Sequence, residues 1–395
     1  MAARRIYLDH NAGAPLLAEA RAAMMDALET AGNPSSVHAE GRRARAIVER
    51  ARVEVAALVG ADPEAVVFTS GASEAAATCL APAWLQGESE VTIRDLAVGR
   101  GDHAALREAG RLFPGRVTHL PLDADGRLDS RALAELIEAS DPDDLPLLAV
   151  TLANSETGVV ADLSRPEVRR FAEAGRLVVD AVQGAGRLPL DMKRLGCTAL
   201  ILSGHKIGAA QGVGAYVLGD PQRRPMPLLV GGGQEKGRRS GTEAVAAIAS
   251  FGAAATVARA RLASGEAERL LLIRRHLEAR IDAMAGPRIV ARNAERLPNT
   301  VLLSIPALAA ETAQIAFDLQ GIAVSAGSAC SSGKVGASAV LKAMEEAGSG
   351  IDSRMGAIRV SFGYETGLDE IDAFADALAG LAGRAAMRLI DPKAA

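Results

Sequence analysis

Short apolar runs alternating with helical patterns constrain this chain more than any other feature. Ala65 to Thr69, Leu147 to Leu152, Leu177 to Val179 and Ala199 to Leu202 are each apolar and closed by polar or small residues, the pattern of strands buried on both faces. Strands separated by helices imply a mostly parallel α/β sheet. In such sheets ligands collect beyond the carboxyl ends of the strands, so the residues after each run are the first place to look for function. From about Ala244 to Ala285 the chain reads as helix, interrupted at Ala263-Ser264-Gly265, before a new strand-and-turn region at Pro298 to Ile305. With 395 residues there is chain enough for two packed domains. A boundary is expected near residue 258.

Composition removes several function classes. Apolar residues are 49% and aromatic ones only 3%, so the core is built from Ala, Leu and Val. The net charge of −4, from 44 basic and 48 acidic residues, gives no basic field to attract nucleic acid or an anionic membrane. Met1 to Arg5 is basic, but Asp9 and His10 come too soon after it for a signal peptide. No apolar run approaches the roughly 18 residues of a membrane span. The expectation is a soluble cytoplasmic protein that binds neither nucleic acid nor membrane. Cys79, Cys197 and Cys330 are far apart and odd in number, which argues against a disulfide framework or a zinc site of CxxC spacing.

Three strand exits carry chemistry. After Thr69 comes Ser70-Gly71-Ala72-Ser73-Glu74 at the start of a helical run, where backbone N–H groups and small hydroxyls can cradle a phosphate. Taken alone, the same residues make an ordinary helix cap. After Val179, Asp180 emerges from a buried run; a carboxylate there needs a cation or a protonated ring nitrogen, or else caps the next helix. After Leu202, Ser203-Gly204-His205-Lys206 sets a lysine among small hydrogen-bonding groups, where it can form a Schiff base. A phosphate cup, an acid for a pyridinium nitrogen and such a lysine, in that order, describe a pyridoxal-phosphate site.

The chain resembles the cysteine desulfurases of the aminotransferase class V group over nearly its whole length. The matching tracts are YLDHNAGAPL (7–16), NPSSVH (33–38), FTSGASEA (68–75), ETGVV (156–160), VDAVQ (179–183) and SGHK (203–206). GGGQEKGRRSGT (231–242), VSAGSACSSG (324–333) and IRVSFG (358–363) complete the set. The resemblance implies fold type I of the pyridoxal-phosphate transferases: a large domain, residues 16–257, with a mostly parallel seven-stranded sheet between helices. A smaller α+β domain, residues 1–15 and 258–395, would carry the cysteine loop at about 325–336.

The same resemblance implies a role for each matching residue. Lys206 binds the cofactor's aldehyde, Asp180 keeps its pyridine nitrogen protonated, and Gln183 reaches its phenolic oxygen. His103, in GDHAAL, stacks on the ring. Ala72, Ser73, Ser203 and His205 hold the phosphate, with Thr242 reaching it from the second subunit of a homodimer. Asn154 and Ser155 contact the cofactor, and Arg359 and Asn154 the substrate, Arg359 as a two-pronged clamp on the α-carboxylate. Cys330 lies in a tract of small, polar residues expected to form a mobile loop. It attacks the sulfur of L-cysteine, becomes a persulfide and leaves L-alanine. The sulfur passes to an iron–sulfur scaffold or another acceptor protein, and any metal contact by Cys330 is a transient cluster contact. Cys79 and Cys197 lie among apolar neighbours and read as inert fillers.

The sequence departs from the family at three places. Asn154-Ser155-Glu156 stands where Asn-Asn-Glu is usual, Ala209-Ala210 where Gly-Pro is usual, and Ala75-Ala76-Ala77 replaces a more polar tract. A selenocysteine lyase or another class V aminotransferase would keep Lys206 and Asp180 without needing Cys330. A cofactor-binding protein without turnover is the alternative outside enzymes.

Overall fold

The computed structural model describes residues 5–30, 32–113, 115–326 and 338–390. Its main sheet has seven strands: Val66–Thr69 (β1), Leu96–Gly99 (β2), Val117–Leu120 (β3), Leu147–Thr151 (β4), Leu177–Asp180 (β5), Ala199–Ser203 (β6) and Gly214–Leu218 (β7). They lie side by side in the order β1-β7-β6-β5-β4-β2-β3. The four apolar runs evident in the sequence are β1, β4, β5 and β6. All but one residue of these four is buried, because helices cover both faces; hence they read as continuous apolar runs rather than as alternation.

Only β7 opposes its neighbours, pairing antiparallel with both β1 and β6. The connection from Ser203 to Gly214 is too short for the crossover a parallel strand requires. Gly214 has to be glycine, since a Cβ there would stand 2.7 Å from the carbonyl carbon of Gly71. That close approach brings the start of β7 under the turn after β1.

Three helices pack together beside this sheet: Ala18–Leu28 (α1), Ala39–Leu58 (α2) and Val245–Ala263 (α3). By length and composition alone α3 is apolar enough to cross a membrane. Here it rests on α1 and α2, and residues from Ile248 to Ala258 join the core beneath the sheet. A fully buried side chain such as Phe251 contributes about 2–3 kcal/mol.

A second core, from Leu8 and residues 270 to 382, covers a smaller antiparallel sheet. Its strands are Arg288–Ile289 (β8), Thr300–Ser304 (β9), Ser325–Ala326 (β10) and Ile358–Ser361 (β11), ordered β8-β9-β11-β10. The amino-terminal residues join this sheet's unit, not the main one. Ile6 and Tyr7 pair with Ile322 and Ala323, and Asp9 bridges Ser361. The turn expected at Ala263-Ser264-Gly265 separates α3 from the next helix, Glu266–Asp282. Position 258 therefore falls inside a continuous helix, where that helix's contribution to the main core ends.

Candidate active site

Strands β1, β4, β5 and β6 end on the same edge of the sheet, and the turns after β1, β5 and β6 surround a cavity of about 610 Å³. Ser70, Gly71, Ala72 and Ser73 form one wall; Asp180, Gln183, Ser203, His205 and Lys206 form the floor, with His103 beside them. Asp9, Gln314 and Ser325 enter from the second unit.

The Ser70–Ser73 wall is built to receive an anion. Gly71 precedes the helix Ala72–Cys79, and no side chain among the described residues caps that helix. A Cβ on Gly71 or Gly212 would meet nothing within 4 Å among the described residues. The one carboxylate in the turn, Glu74, is occupied: it accepts from the Ser70 N–H at 2.7 Å and pairs with Arg239 at 2.8 Å. His205 Nδ1 is buried without a hydrogen-bond partner among the described residues. Burial, and then the charge of Lys206, hold its ring down at about 4. A neutral ring and a helix start lacking a cap together suit a phosphate.

Asp180 ends β5 almost fully buried, accepting from the Val182 N–H at 2.9 Å. Burial pushes its carboxyl above the ordinary range, while the charges of His103 and Lys206 pull it back. A buried acid in this position calls for a cationic partner, and a pyridinium N–H is one. His103 is moved the other way, below its usual value, chiefly by burial and against the pull of Asp180. Its Nδ1 accepts from the Ala105 N–H at 3.1 Å, which places the neutral ring's proton on Nε2.

Lys206 comes after β6 on a single tight turn, Gly204–Lys206, and Gly204 admits no Cβ because Val213 stands 2.9 Å from where it would be. The ammonium donates to the carbonyls of Asn11 at 2.6 Å and Ala12 at 2.8 Å. Gln183 is oriented by two partners: its amide nitrogen donates to Asn11 O at 2.9 Å and its oxygen accepts from Arg187 at 2.8 Å. One amide N–H remains for a cofactor oxygen. These residues fit pyridoxal phosphate: an anion cup, a buried acid, an oriented amide and a primary amine face one cavity.

Other expected residues lie elsewhere. Asn154 faces a second cavity, of about 600 Å³, that also borders Asp102 and Thr151. Its amide donates to Gly101 O at 2.9 Å, and its oxygen accepts from the N–H groups of Glu156 and Thr157 at 2.9 and 3.0 Å. The side chain thus serves the turn at Glu156–Thr157 and the Gly101 carbonyl, and it does not line the lysine's cavity. Ser155 contributes its carbonyl, which accepts from Asn11 and from Arg359. Arg359 is completely buried, with NH2 paired to Asp9 at 2.7 Å. Thr242 is exposed beside a small cavity behind the cup, together with Thr69, Ser70 and Gly212, and does not border the lysine's own cavity. Cys330 lies outside the described residues.

Sequence reasoning missed Asp9, Asn11 and Arg187. Asn11, 1% exposed, connects both units: its amide also donates to Thr300 Oγ1 at 3.0 Å, and its backbone N–H donates to Ser361 Oγ. The tract 7–16 stands out in the sequence, but its partners are hundreds of residues away. The departure at Ala210 has a local compensation. Proline there would have no N–H to satisfy; Ala210 has one, and the buried Ser250 hydroxyl accepts it at 2.9 Å.

Comparison with known proteins agrees with this geometry. The family described as Aminotransferase class-V matches residues 6–374. A cysteine desulfurase of Frankia sp. (strain EuIK1) is 38% identical over 95% of this chain and 90% of its own length. An IscS-like cysteine desulfurase of Mycobacterium tuberculosis is 33% identical over 96% of each chain. Among solved structures, a NifS-like protein from Rickettsia africae superposes with a TM-score of 0.83 at 29% identity, covering 96% of this chain and 99% of that one. Fold, site and relatives agree: the chain belongs to the aminotransferase class-V family, and within it to the pyridoxal-phosphate-dependent cysteine desulfurases.

Proposed function

We propose that this enzyme removes the sulfur of L-cysteine, leaving L-alanine and a persulfide on Cys330. The observation that carries the reading is the convergence of Lys206, buried Asp180 and the open helix start at Ala72 on one cavity. Ala72, Ser73, Ser203 and His205 would hold the cofactor's phosphate, Gln183 its phenolic oxygen, Asp180 its pyridine nitrogen and Lys206 its aldehyde, with His103 against the ring. When bound, pyridoxal phosphate supplies an electron sink for bond changes at the substrate's α-carbon.

The protein's own groups then divide the work. Arg359 orients the α-carboxylate, and the Lys206 amine takes the α-proton. His103, carrying a proton on Nε2, and Lys206 return protons to the three-carbon fragment. The Cys330 thiolate forms a bond to the substrate's sulfur as the carbon–sulfur bond breaks. One L-cysteine and one thiol become one L-alanine and one persulfide, so no external oxidant is needed.

Several further features belong to the same reading. The cores around the two sheets favour a division into residues 16–257 and residues 1–15 with 258–395, and a third cluster, Leu122 and Val159 with Val290, Leu302 and Leu341, joins the two units. Thr242, outside its own chain's lysine cavity, would complete the phosphate site of a second subunit in a homodimer. In the cytoplasm, the sulfur would go to an iron–sulfur scaffold or another acceptor protein.

Stoichiometric alanine from L-cysteine in the presence of an acceptor thiol, with borohydride fixing the cofactor to Lys206, is the expected result. Fixation at another lysine, or no alanine from L-cysteine, would overturn the reading in favour of a different class V activity.

A further inference from the structure

We propose that Asp9 is a built-in competitor for the substrate's carboxylate: it neutralises Arg359 until an amino acid binds, then yields the guanidinium. This rests on Arg359 being the carboxylate clamp. Residues 8–10 run alongside β11, with the Ser361 N–H donating to Leu8 O and the His10 N–H to Ser361 O. Asp9 bridges Ser361 in parallel register, so Asp9, Ser361 and Arg359 share one face of the sheet. Asp9 thereby meets Arg359 diagonally, Oδ1 2.7 Å from NH2.

The two groups differ in exposure. The Arg359 side chain is 0% exposed and that of Asp9 20%, and it is Asp9 that borders the cavity of Lys206 and His103. The carboxylate stands on the cavity side of the cation. A guanidinium buried to this degree needs an anion beside it, and an arriving α-carboxylate can supply one. A two-pronged grip needs two parallel N–H groups, and Asp9 holds one of the terminal nitrogens. The other, NH1, is anchored on Ser155 O at 2.9 Å, which keeps the guanidinium in place during the exchange. The carbonyls that hold the Lys206 ammonium, those of Asn11 and Ala12, belong to the same short segment.

The test is calorimetric titration of the cofactor-loaded enzyme with L-alanine, which has the amine and carboxylate but no sulfur, and with cysteamine, which has no carboxylate. Asp9→Asn should tighten L-alanine by about tenfold, the worth of one charged hydrogen bond removed from competition, and leave cysteamine unchanged. Asp9→Ser should act in the same direction. Unchanged or weaker L-alanine binding in both variants would overturn the proposal and make Asp9 a simple support for Arg359. Equal tightening of cysteamine would also overturn it, since the effect would then lie at Lys206. Arg359→Lys separates the two claims: if it binds L-alanine as the parent does, the clamp reading itself has failed.

Discussion

Asp180 is a carboxylate that burial disfavours, raising its pKa beyond what the Val182 N–H and the charges of His103 and Lys206 offset. Asp180→Ala should therefore retain cofactor through the phosphate cup yet lose about 100-fold or more in turnover. Activity within a few-fold of the parent would reduce Asp180 to a helix cap. Glu156 shows the same physics away from the lysine. Burial pushes it from 4.5 to about 7, although the Ser338 hydroxyl donates to it at 2.6 Å. A raised carboxyl stabilises the fold below its unfolded value and loses that contribution as pH rises through about 7. Glu156→Gln should consequently match the parent's melting temperature near pH 5 and exceed it by a few degrees at pH 8; a parallel loss at both values would contradict the shift. Asp180 and Lys206 were legible in the sequence because one ends a buried strand and the other follows one by a single turn, a local signal. The local bonding of Asn154 was not legible: its side chain accepts from the N–H groups of Glu156 and Thr157, a turn that the motif itself does not report. The Asp9–Arg359 pair spans 350 residues, and nothing near either one announces the other.

At the scale of elements, close packing decides more than propensity. A Cβ on Gly252, in α3, would stand 2.6 Å from the Ala51 Cα of α2. Alanine in a helix interior gains about 1 kcal/mol over glycine, but forcing two packed helices apart costs about 1–3 kcal/mol. Gly252→Ala should lower stability to denaturant despite its better propensity, and a gain would mean that the helices separate freely. The strands at Ala65, Leu147, Leu177 and Ala199 could be read from sequence because both their faces are buried. Val117–Leu120, at the sheet's edge, is only partly buried and mixes Thr and His with its apolar residues, so it gives no continuous run. The reversal of β7 depends on a short connection and on the contact between Gly71 and Gly214, neither of which a strand pattern reports.

Across the whole molecule, function depends on joining parts distant in sequence. Residues 9–12 hold Lys206, Gln183 and Arg359 together across the two cores, and the proposed homodimer would have Thr242 complete the phosphate site of a second subunit. The loop before Thr242 is pinned by the buried pair of Arg52 and Glu235, 2.8 Å apart. Thr242→Ala should loosen cofactor retention by about tenfold, the worth of one hydrogen bond to phosphate, without stopping chemistry. A fully active monomer in sedimentation would rule out a shared site. The central claim, that sulfur leaves cysteine by way of Cys330, is tested most directly with isotopically labelled L-cysteine and mass spectrometry of peptides from the cofactor-loaded protein. Cys79 and Cys197 are buried, with the Cys197 thiol pushed up to about 12 and Cys79 higher still, and should stay unlabelled. The account predicts one added sulfur on the peptide containing Cys330, absent from Cys330→Ala even though that variant still binds cysteine. Alanine and sulfide released by Cys330→Ala at the parental rate would contradict it.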